Sequence, residues 1–258
     1  MSSIFYTRVV INNKQRITGT AQDFTVDLKE SYGLQQISHI AVESVTVPNL
    51  QYNITTATNT LRISIGGGLT QSLVIAEGQY DISQFMTAIQ NGLDTLSGVA
   101  EWTITQDAIN RKIQFLNSNQ TFTIFHTSST MYNEVGLTDG VDHAAALAGG
   151  NWVLNANRVP DLGGVSCAFI HSNALANSST INARVGAIST LTYVSFAETP
   201  FGGLAHRQIN DIELSKIRFS QPRNLSVIDI KVRTEDGSLL TLQNGEVQVI
   251  IRCYYEMN

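Results

Sequence analysis

The chain has 258 residues, with 16 Lys and Arg against 21 Asp and Glu, so its formal net charge is −5. This length fits one large β domain or two modest ones, and it is ample for a hydrophobic core. The acidic balance argues against a nucleic-acid-binding surface, since such surfaces are basic, and no basic run is interleaved with aromatic residues.

Charged residues make up only 14% of the chain, whereas about 25% is usual in soluble domains. Ser, Thr, Asn, Gln and Gly take their place. A surface of neutral polar groups favours a protein that contacts neighbours over much of its area, because burying an unpaired charge at an interface is costly. A secreted or structural β protein with a low-charge surface is the alternative.

The sequence carries no membrane or targeting signal. No apolar stretch approaches the roughly 18–20 residues that span a bilayer, and the N-terminus, MSSIFYTR, lacks the basic start and apolar region of a signal peptide. We therefore expect the chain to fold in a cytosol and not to be secreted. In that reducing compartment, Cys167 and Cys253 are expected to be buried free thiols rather than a disulfide.

The first part of the chain has mostly strand patterns. Residues 1–20 start with a short strand-like run, Phe5–Ile11, and are predicted to form an extended arm that lies on the surface or reaches a neighbour. Further strands are predicted at Phe24–Leu28, Ile37–Val47, Leu61–Ile65 and Ser72–Ala76. The three glycines at 66–68 predict a hairpin turn, since a phosphate-binding loop would need a Lys-Ser/Thr pair and a helix after them.

The clearest helix signal covers Asp81–Leu96. Asp81 is placed to cap its N-terminus, with Gln84 as the partner in a capping box, and Gly98 is placed to end it. One apolar face is formed at helical spacing by Ile82, Phe85, Met86, Ile89, Leu93 and Leu96. We expect this face to pack in a core rather than to form a groove for a partner.

A β meander follows the helix. Its strands are predicted at Trp102–Gln106, Lys112–Asn117 and Thr121–His126. A short helix is predicted at Met131–Gly136, before a polar, Ala-rich segment, Asp139–Asn151. Residues 77–150 are therefore predicted to form a small α+β domain inserted between the strands of a larger sheet domain.

After Pro160 the pattern is all strand. Strands are predicted at Val165–His171, Ala187–Phe196, Ile209–Phe219, Leu225–Arg233, Leu239–Leu242 and Glu246–Tyr254. Asp236-Gly237 and Asn244-Gly245 are hairpin turn signals. The number and spacing of the predicted strands, with strand patterns near both chain ends, favour a mainly β, single jelly-roll sandwich. The predicted organisation is an arm at 1–20, a jelly-roll domain at 21–76 and 151–258, and the α+β insertion at 77–150.

Five segments, taken in order, resemble those of the penton (vertex, or minor capsid) proteins of virophages and polinton-like viruses. They are Ile11–Leu28, the strand end VPNLQYNI at Val47–Ile54, the Gly-x-Tyr element with the following helix at Gly78–Ile89, the aromatic strands of Thr121–Gly136 that lead into NEVGL, and Asp229–Ile251. The last strand, GEVQVII, is less aromatic than in that family, which leaves the branch of the family open.

This resemblance implies a structural protein rather than an enzyme. It implies a homopentamer that plugs the fivefold vertices of an icosahedral virion, next to a double-jelly-roll major capsid protein. The chain would be made in the host cytoplasm or a viral factory and reside in the virion. The insertion is expected to face outward and to bind a fibre or a host receptor.

The predicted arm carries the only site residues that we single out, Arg8, Lys14 and Arg16. They are expected to lie between subunits or to face inward, where they would meet acidic partners or packaged DNA. Nucleic acid is otherwise not expected as a partner. A frayed terminus without such a role is the alternative.

No residue pattern predicts catalysis, a cofactor or a metal site. The histidines His39, His126, His143, His171 and His206 lack metal-ligand spacing. There is no Gly-x-Ser-x-Gly motif, and nothing pairs Asp211, Glu213 and Asp229 as glycosidase carboxylates.

One loop leaves an alternative open. Asp139, Asp142 and His143 could hold a cation, although a solvated acidic loop is the simpler interpretation. Trp152 beside Asn151 is the only candidate for a glycan-binding pocket. The alternative function is therefore a virion spike or a lectin-like module that engages a receptor or glycan.

Overall fold

A computed structural model describes residues 5–28, 34–138, 140–175, 180–182, 186–188, 190–211 and 216–255. The chain divides into two compact units. Met1–Gln51 and Val165–Asn258 form the first, the jelly-roll unit, and Tyr52–Gly164 form the second, the inserted unit. The predicted fold class, mainly β with an insertion that contains a helix, is confirmed.

The jelly-roll unit starts with the strands β1 (Tyr6–Asn12), β2 (Thr18–Gly19), β3 (Asp23–Asp27) and β4 (Leu34–Pro48). Ile11 on β1 is fully buried in the core. The buried side chain of Asn13 donates to the carbonyl oxygens of Ala21, at 3.2 Å, and Gly245, at 2.8 Å. The described part of the predicted arm is therefore folded into the unit rather than extended from it.

The inserted unit contains one described helix and eight described strands. They are β5 (Thr60–Ile65), β6 (Gln71–Val74), α1 (Ile82–Ser97), β7 (Trp102–Gln106), β8 (Ile113–Asn117), β9 (Phe122–Phe125), β10 (His143–Ala144), β11 (Ala146–Ala148) and β12 (Asn151–Asn155). The strands form two antiparallel sheets, ordered β10-β9-β5-β6 and β11-β12-β8-β7. Helix α1 packs against the edge strands β6 and β7, so that its apolar face contributes to a core of this unit's own.

Helix α1 confirms the sequence prediction closely. The Asp81 carboxylate accepts a hydrogen bond from the Gln84 backbone N–H at 2.8 Å, and the Gln84 side chain accepts one from the Asp81 N–H at 3.1 Å. Gly98 ends the helix in the left-handed conformation, with φ of 76°. Phe85, Ile89 and Leu93 are its buried residues, as the apolar stripe predicts.

The insertion starts earlier and ends later than the predicted range 77–150. Strand β5, which was predicted in the jelly roll, pairs with β9, with Ile63 opposite Ile124. Both residues lie in the core of the inserted unit. The sequence pattern identifies β5 as a strand but does not reveal which sheet it joins.

One further prediction within the inserted unit is wrong. Residues 131–136 form consecutive turns rather than a helix. Gly136 has a φ of 77°, and a Cβ there would lie 2.3 Å from the Arg158 carbonyl oxygen, so a helical residue with a side chain does not fit. No element was predicted for the polar, Ala-rich segment, and the structure places β10 and β11 there.

The two ends of the inserted unit are joined by Asn53. Its side-chain amide donates to the carbonyl oxygens of Tyr80, at 2.8 Å, and Leu162, at 3.1 Å. Its side-chain oxygen accepts a hydrogen bond from the Tyr80 N–H at 2.9 Å. Gly164 also lies close to Asn53. The chain therefore leaves the unit near the point at which it entered.

After the insertion, the jelly-roll unit continues with β13 (Cys167–His171), β14 (Thr180–Asn182), β15 (Gly186–Ile188), β16 (Thr190–Ser195), β17 (Leu204–Gln208), β18 (Lys216–Leu225), β19 (Val227–Arg233) and β20 (Gln248–Tyr255). The first sheet has the order β1-β20-β4, with β17 and β18 both paired to the long strand β4. The second sheet has the order β16-β13-β19-β3-β2. Strands β14 and β15 pair with each other.

The jelly-roll core contains inward-facing residues from both sheets. On β19 the alternate residues Ile228, Ile230 and Val232 are fully buried, which is the period of two that a half-buried strand requires. They share one core with residues of β1, β4 and β20. The strand predicted at Leu239–Leu242 is absent from this described region, where Leu239 makes only an isolated bridge to Arg233.

Both cysteines are free. Cys253 on β20 is buried, and burial raises the pKa of its thiol to about 12. Cys167 on β13 is only partly buried, which corrects the prediction that both thiols are buried. Burial also raises the pKa of Cys167, so neither thiol is a reactive thiolate at neutral pH.

Candidate functional site

The predicted site residues Arg8, Lys14 and Arg16 are each held by their own chain. The Arg8 guanidinium lies 2.8 Å from a carboxylate oxygen of Glu43. Lys14 forms an ion pair with Glu246, and Arg16 donates to the Asn13 carbonyl oxygen at 2.9 Å. The three cations do not converge on one point, and their predicted role between subunits stays a prediction.

Glu43 organises the surroundings of Arg8. It lies on β4, is only 7% exposed, and also accepts a hydrogen bond from the Arg252 Nε at 2.9 Å. This hydrogen bond raises the pKa of Arg252. One buried carboxylate thus fixes two guanidinium groups, and the group of three keeps a net positive charge.

Aromatic rings of the first sheet pack beside these guanidinium groups and against each other. The rings of Tyr6 and Tyr254 are 5.6 Å apart, and His39 stacks on Tyr254 at 4.3 Å. The Arg252 guanidinium lies 4.8 Å from the Tyr6 ring centre, and the Lys216 ammonium lies 5.0 Å from that of Tyr254. These are cation–π distances.

The strand register explains why these side chains meet. One row across β1, β20, β4 and β18 consists of Tyr6, Tyr254, His39 and Arg218, and the next consists of Arg8, Arg252, Ala41 and Lys216. Directly opposite residues of antiparallel strands point to the same face. We call the outward face formed by these two rows and Glu43 the basic face.

The basic face was not predicted from the sequence, because it is assembled from four distant segments. Each segment contributes two or three residues, and none is a basic run. The alternation of tyrosine and arginine in both Tyr6–Arg8 and Arg252–Tyr254 was a usable signal, since it places both residue types on one face of a strand.

Among the residues that the structure describes, the jelly-roll unit also has two open flanks. The β1 flank lies where β1 and β3 line a groove of about 550 Å³, with Val9, Ile17 and Leu28 among its walls. Val10 and Ile17 are exposed there. Among the described residues, β1 pairs with a strand on only one side, β20, so its other edge can accept a neighbour.

The β17 flank lies at the other end of both sheets, where β16 contacts β17. The Arg207 guanidinium stacks 4.0 Å from the Tyr193 ring centre. Tyr193 and Leu204 are exposed large side chains on this flank, and a groove of about 420 Å³ beside them is lined by Asp211. Apolar side chains are therefore exposed on both flanks.

The candidates for a cation or glycan site have structural roles. Asp142 accepts a hydrogen bond from the His126 backbone N–H at 2.9 Å, and a His143 ring nitrogen lies 3.1 Å from the Thr138 carbonyl oxygen. Trp152 packs partly into the inserted-unit core. Asp139 lies outside the described residues, and within them no group of three potential metal-ligating side chains occurs.

Of the carboxylates considered for catalysis, Asp229 has a structural role. Asp229 accepts hydrogen bonds from the backbone N–H groups of Asn173, at 3.0 Å, and Ala174, at 2.8 Å, and so holds a turn. Glu213 lies outside the described residues. Over the part of the chain that is described, no helix is long and apolar enough to cross a membrane.

Glu134 in the inserted unit is an unexpected titratable group. It is 9% exposed, and one of its carboxylate oxygens has no hydrogen-bond partner. Burial, together with the charge of Asp161, raises its pKa to about 7. With a single carboxylate neighbour and no described cation against it, this group is a source of pH-dependent stability rather than a binding site.

Comparisons with known proteins support the architecture. The crystal structure of the selenomethionine-labelled mavirus penton protein matches 99% of this chain and 100% of its own, with a TM-score of 0.53 and 12% sequence identity. At this identity the similarity establishes a shared fold. A search of curated proteins found no significant match. The model of the Family of unknown function (DUF5901) matches residues 14–237, and the chain therefore belongs to this family.

Proposed function

We propose that this chain is a penton subunit, a structural capsid protein that forms homopentamers at the fivefold vertices of an icosahedral virion. The observation that carries the proposal is the fold similarity to the mavirus penton protein, which extends over 99% of the chain and so includes the insertion. A double-jelly-roll major capsid protein would surround each pentamer.

The two open flanks support ring assembly. A closed ring requires a heterologous contact, in which one surface of each subunit meets a different surface of the next. The β1 flank, with exposed Val10 and Ile17, and the β17 flank, with exposed Tyr193 and Leu204, supply two such surfaces. A contact of about 1,200–2,000 Å² is the ordinary size for a specific interface.

The charges at the flanks are compatible with this contact. Lys14 and Arg16 lie beyond β1, next to its flank, whereas Glu198 and Asp211 line the grooves at the β17 flank. Opposite charges at the rim of an interface favour the correct register more than they add affinity. Arg8 also lines the groove at the β1 flank. We therefore include the predicted role of Arg8, Lys14 and Arg16 between subunits in the proposal.

The native mass of the purified protein, measured by light scattering on a sizing column, tests the proposal. We expect a species of five times 28.2 kDa, with ring-shaped particles in negative stain. Val10→Asp and Leu204→Asp are each expected to prevent ring closure, because each places a charge in one flank contact. Ile109→Asp, at an exposed position of the inserted unit, is the matched control and should leave the rings intact.

Mixing the two flank variants sharpens the test. Val10→Asp keeps an intact β17 flank and Leu204→Asp keeps an intact β1 flank, so the mixture should form a heterodimer through the one remaining contact. A self-complementary interface would not behave in this way. A wild-type protein that stays monomeric or trimeric would contradict the pentamer and favour the spike or binding module.

The inserted unit is proposed to bind a fibre or a host receptor. Because Asn53 lies within hydrogen-bond distance of Leu162, a short Gly-Ser linker can replace residues 53–163. Rings that form without the unit are the expected result. Loss of rings would instead assign the unit to assembly.

A further inference from the structure

The two outer strands of the first sheet run in opposite directions. The sheet has the order β1-β20-β4-β17, and each neighbouring pair in it is antiparallel. Among the described residues, β1 pairs only with β20 and β17 only with β4, so each has one open edge. When a second copy lies beside the first in the same orientation, its β17 therefore meets β1 of the first copy as an antiparallel neighbour.

The hydrogen-bond pattern shows which backbone groups face the open edge of β1. At the two ends of the strand, backbone hydrogen bonds to the β20 segment are made by Phe5, at 3.2 Å, and by Asn13, at 3.3 Å. The register between them has no shift, and successive residues of an antiparallel strand bond alternately to its two sides. The odd-numbered residues of β1 therefore bond to β20. The residues whose N–H and C=O groups point to the open edge are Tyr6, Arg8 and Val10.

The open edge of β17 is identified in the same way. Gly203 and Ile209, which flank this strand, each form a backbone hydrogen bond of 2.9 Å with the β4 segment. The register with β4 has no shift either, so the odd-numbered residues bond to β4. The residues whose N–H and C=O groups point to the open edge are Leu204, His206 and Gln208. Their side chains are exposed, as are those of the three residues on β1.

One register of a contact between these edges brings exposed aliphatic side chains together. With Val10 opposite Leu204, all five residues of β17 pair with β1. Val10 is 45% exposed and Leu204 is 65% exposed in the single chain, and a cross-strand contact between them removes apolar surface from water. A shift by two residues would instead place Leu204 opposite Arg8 or Asn12. The pairing with Val10 is therefore the favoured register.

We propose that β1 of each subunit pairs edge to edge with β17 of the next, with Val10 opposite Leu204, so that the first sheet continues from subunit to subunit. This contact rests on the proposed ring and specifies how its subunits meet. A second copy is favoured over an unrelated peptide, because every copy carries both edges in complementary directions. Main-chain hydrogen bonds supply the attraction, and the apolar pair supplies the register. Pairing also covers two sheet edges that would otherwise associate without control.

Cysteine crosslinking tests the register. In Val10→Cys combined with Leu204→Cys, each subunit should form a disulfide with the next, since the Cα atoms of a hydrogen-bonded antiparallel pair lie about 5.5 Å apart. A non-reducing gel should show a ladder up to the pentamer that a reductant collapses. Val10→Cys combined with Gln208→Cys is the matched control, because its cysteines would lie about 14 Å apart along the strands and should not crosslink. The wild type, with Cys167 and Cys253, gives the background.

A proline tests the backbone hydrogen bonds. Val10→Pro removes an N–H that points away from β20, so the subunit should still fold, since proline is tolerated on edge strands. Each contact should weaken on the order of a hundredfold, because a carbonyl oxygen of the neighbour loses its donor and the proline ring occupies that space. Val10→Thr keeps the N–H and the branched shape, and should assemble within about fivefold of the wild type. Light scattering over a range of concentrations measures assembly.

A second variant guards against a folding defect. Thermal unfolding shows whether Val10→Pro is folded, and Gln208→Pro, at the open edge of β17, serves if it is not. Folded proline variants that form rings as the wild type does would overturn the paired edges.

The crosslinking outcomes distinguish this contact from the pentamer itself. Pentamers that give no ladder with the Val10 and Leu204 cysteines would overturn the paired edges alone, and equal ladders from both cysteine pairs would overturn the register. A ladder from the predicted pair in assemblies of another size would support the paired edges and overturn the pentamer. Crosslinking of Val10→Cys alone would show that two β1 edges meet, which overturns the proposal.

Discussion

The jelly-roll unit and the inserted unit both bury a glutamate, and they stabilise it differently. Glu43 in the jelly-roll unit contacts the guanidinium groups of Arg8 and Arg252. Glu134 in the inserted unit has an oxygen without a hydrogen-bond partner and a pKa of about 7. Burial raises the pKa of a carboxylate that no cation or donor compensates, and Glu134 is such a group.

The two units also have separate cores, and truncating a core side chain is the change for which we expect the largest loss of stability. Phe24 lies in the jelly-roll core and Phe85 in the inserted-unit core, and both are buried. Phe24→Ala and Phe85→Ala should each cost about 3–5 kcal/mol in free energy of unfolding. Calorimetry should show each variant lowering the transition of its own unit. One common transition that both variants shift equally would contradict the independence of the cores.

The pH dependence of Glu134 is the next largest effect. Its folded pKa of about 7 exceeds the unfolded value of 4.5, so the folded state binds the proton more tightly. The group therefore contributes its full stabilisation below pH 4.5 and loses it as the pH rises towards 7. The stabilisation lost is on the order of 2 kcal/mol, after a reduction for solvent screening. Glu134→Gln should remove this pH dependence, as measured by urea unfolding at about pH 5 and pH 8.

Glu101 offers the matched control within the same unit. It is also buried, but its carboxylate accepts hydrogen bonds from the side-chain amides of Asn117, at 3.0 Å, and Gln120, at 3.3 Å. Glu101→Gln should therefore destabilise the unit at about pH 8, because one oxygen acceptor becomes a donor facing other donors. If Glu134→Gln and Glu101→Gln both stabilise the unit at about pH 8, burial of the carboxylate alone, and not its hydrogen bonds, determines the change in stability.

Removal of a partner from Glu43 is expected to have the smallest of the three effects. Arg252→Gln should cost about 2 kcal/mol or less, below the cost for a fully buried pair, since the Arg8 contact remains. Adding Glu43→Gln should recover much of this loss. A double-mutant cycle by urea unfolding measures the coupling, and additive losses would show that the pair does not interact in solution.

Local features were predictable from the sequence. The helix α1, its capping box and its terminal glycine lie within one segment, Asp81–Gly98, so their interactions are between near neighbours. The alternation of β19 was equally clear, because Ile228, Ile230 and Val232 all face one core. The order of the strands and the motifs carried enough information for the fold class.

Features that depend on distant partners were not predictable. The pairing of β5 with β9 places β5 in the inserted unit, so that the insertion begins earlier than the sequence predicted. Strand β17 was not predicted, because its only described core residue is the small Ala205. The basic face requires the register of four strands from separate parts of the chain. Composition could not reveal it, because the net charge sums over all surfaces.

The junction at Asn53 has a consequence for the order of folding. Strand β4 pairs with β17, β18 and β20, all of which follow the inserted unit. If the unit were unfolded, pairing would require closing a very long loop, which slows folding. Once the inserted unit has folded, the hydrogen bond from Asn53 to Leu162 holds its two ends together. The loop between β4 and the strands that follow the unit is then effectively only a few residues longer than the direct connection. The inserted unit therefore favours early folding of the middle of the chain, and the outer sheets complete their pairing afterwards.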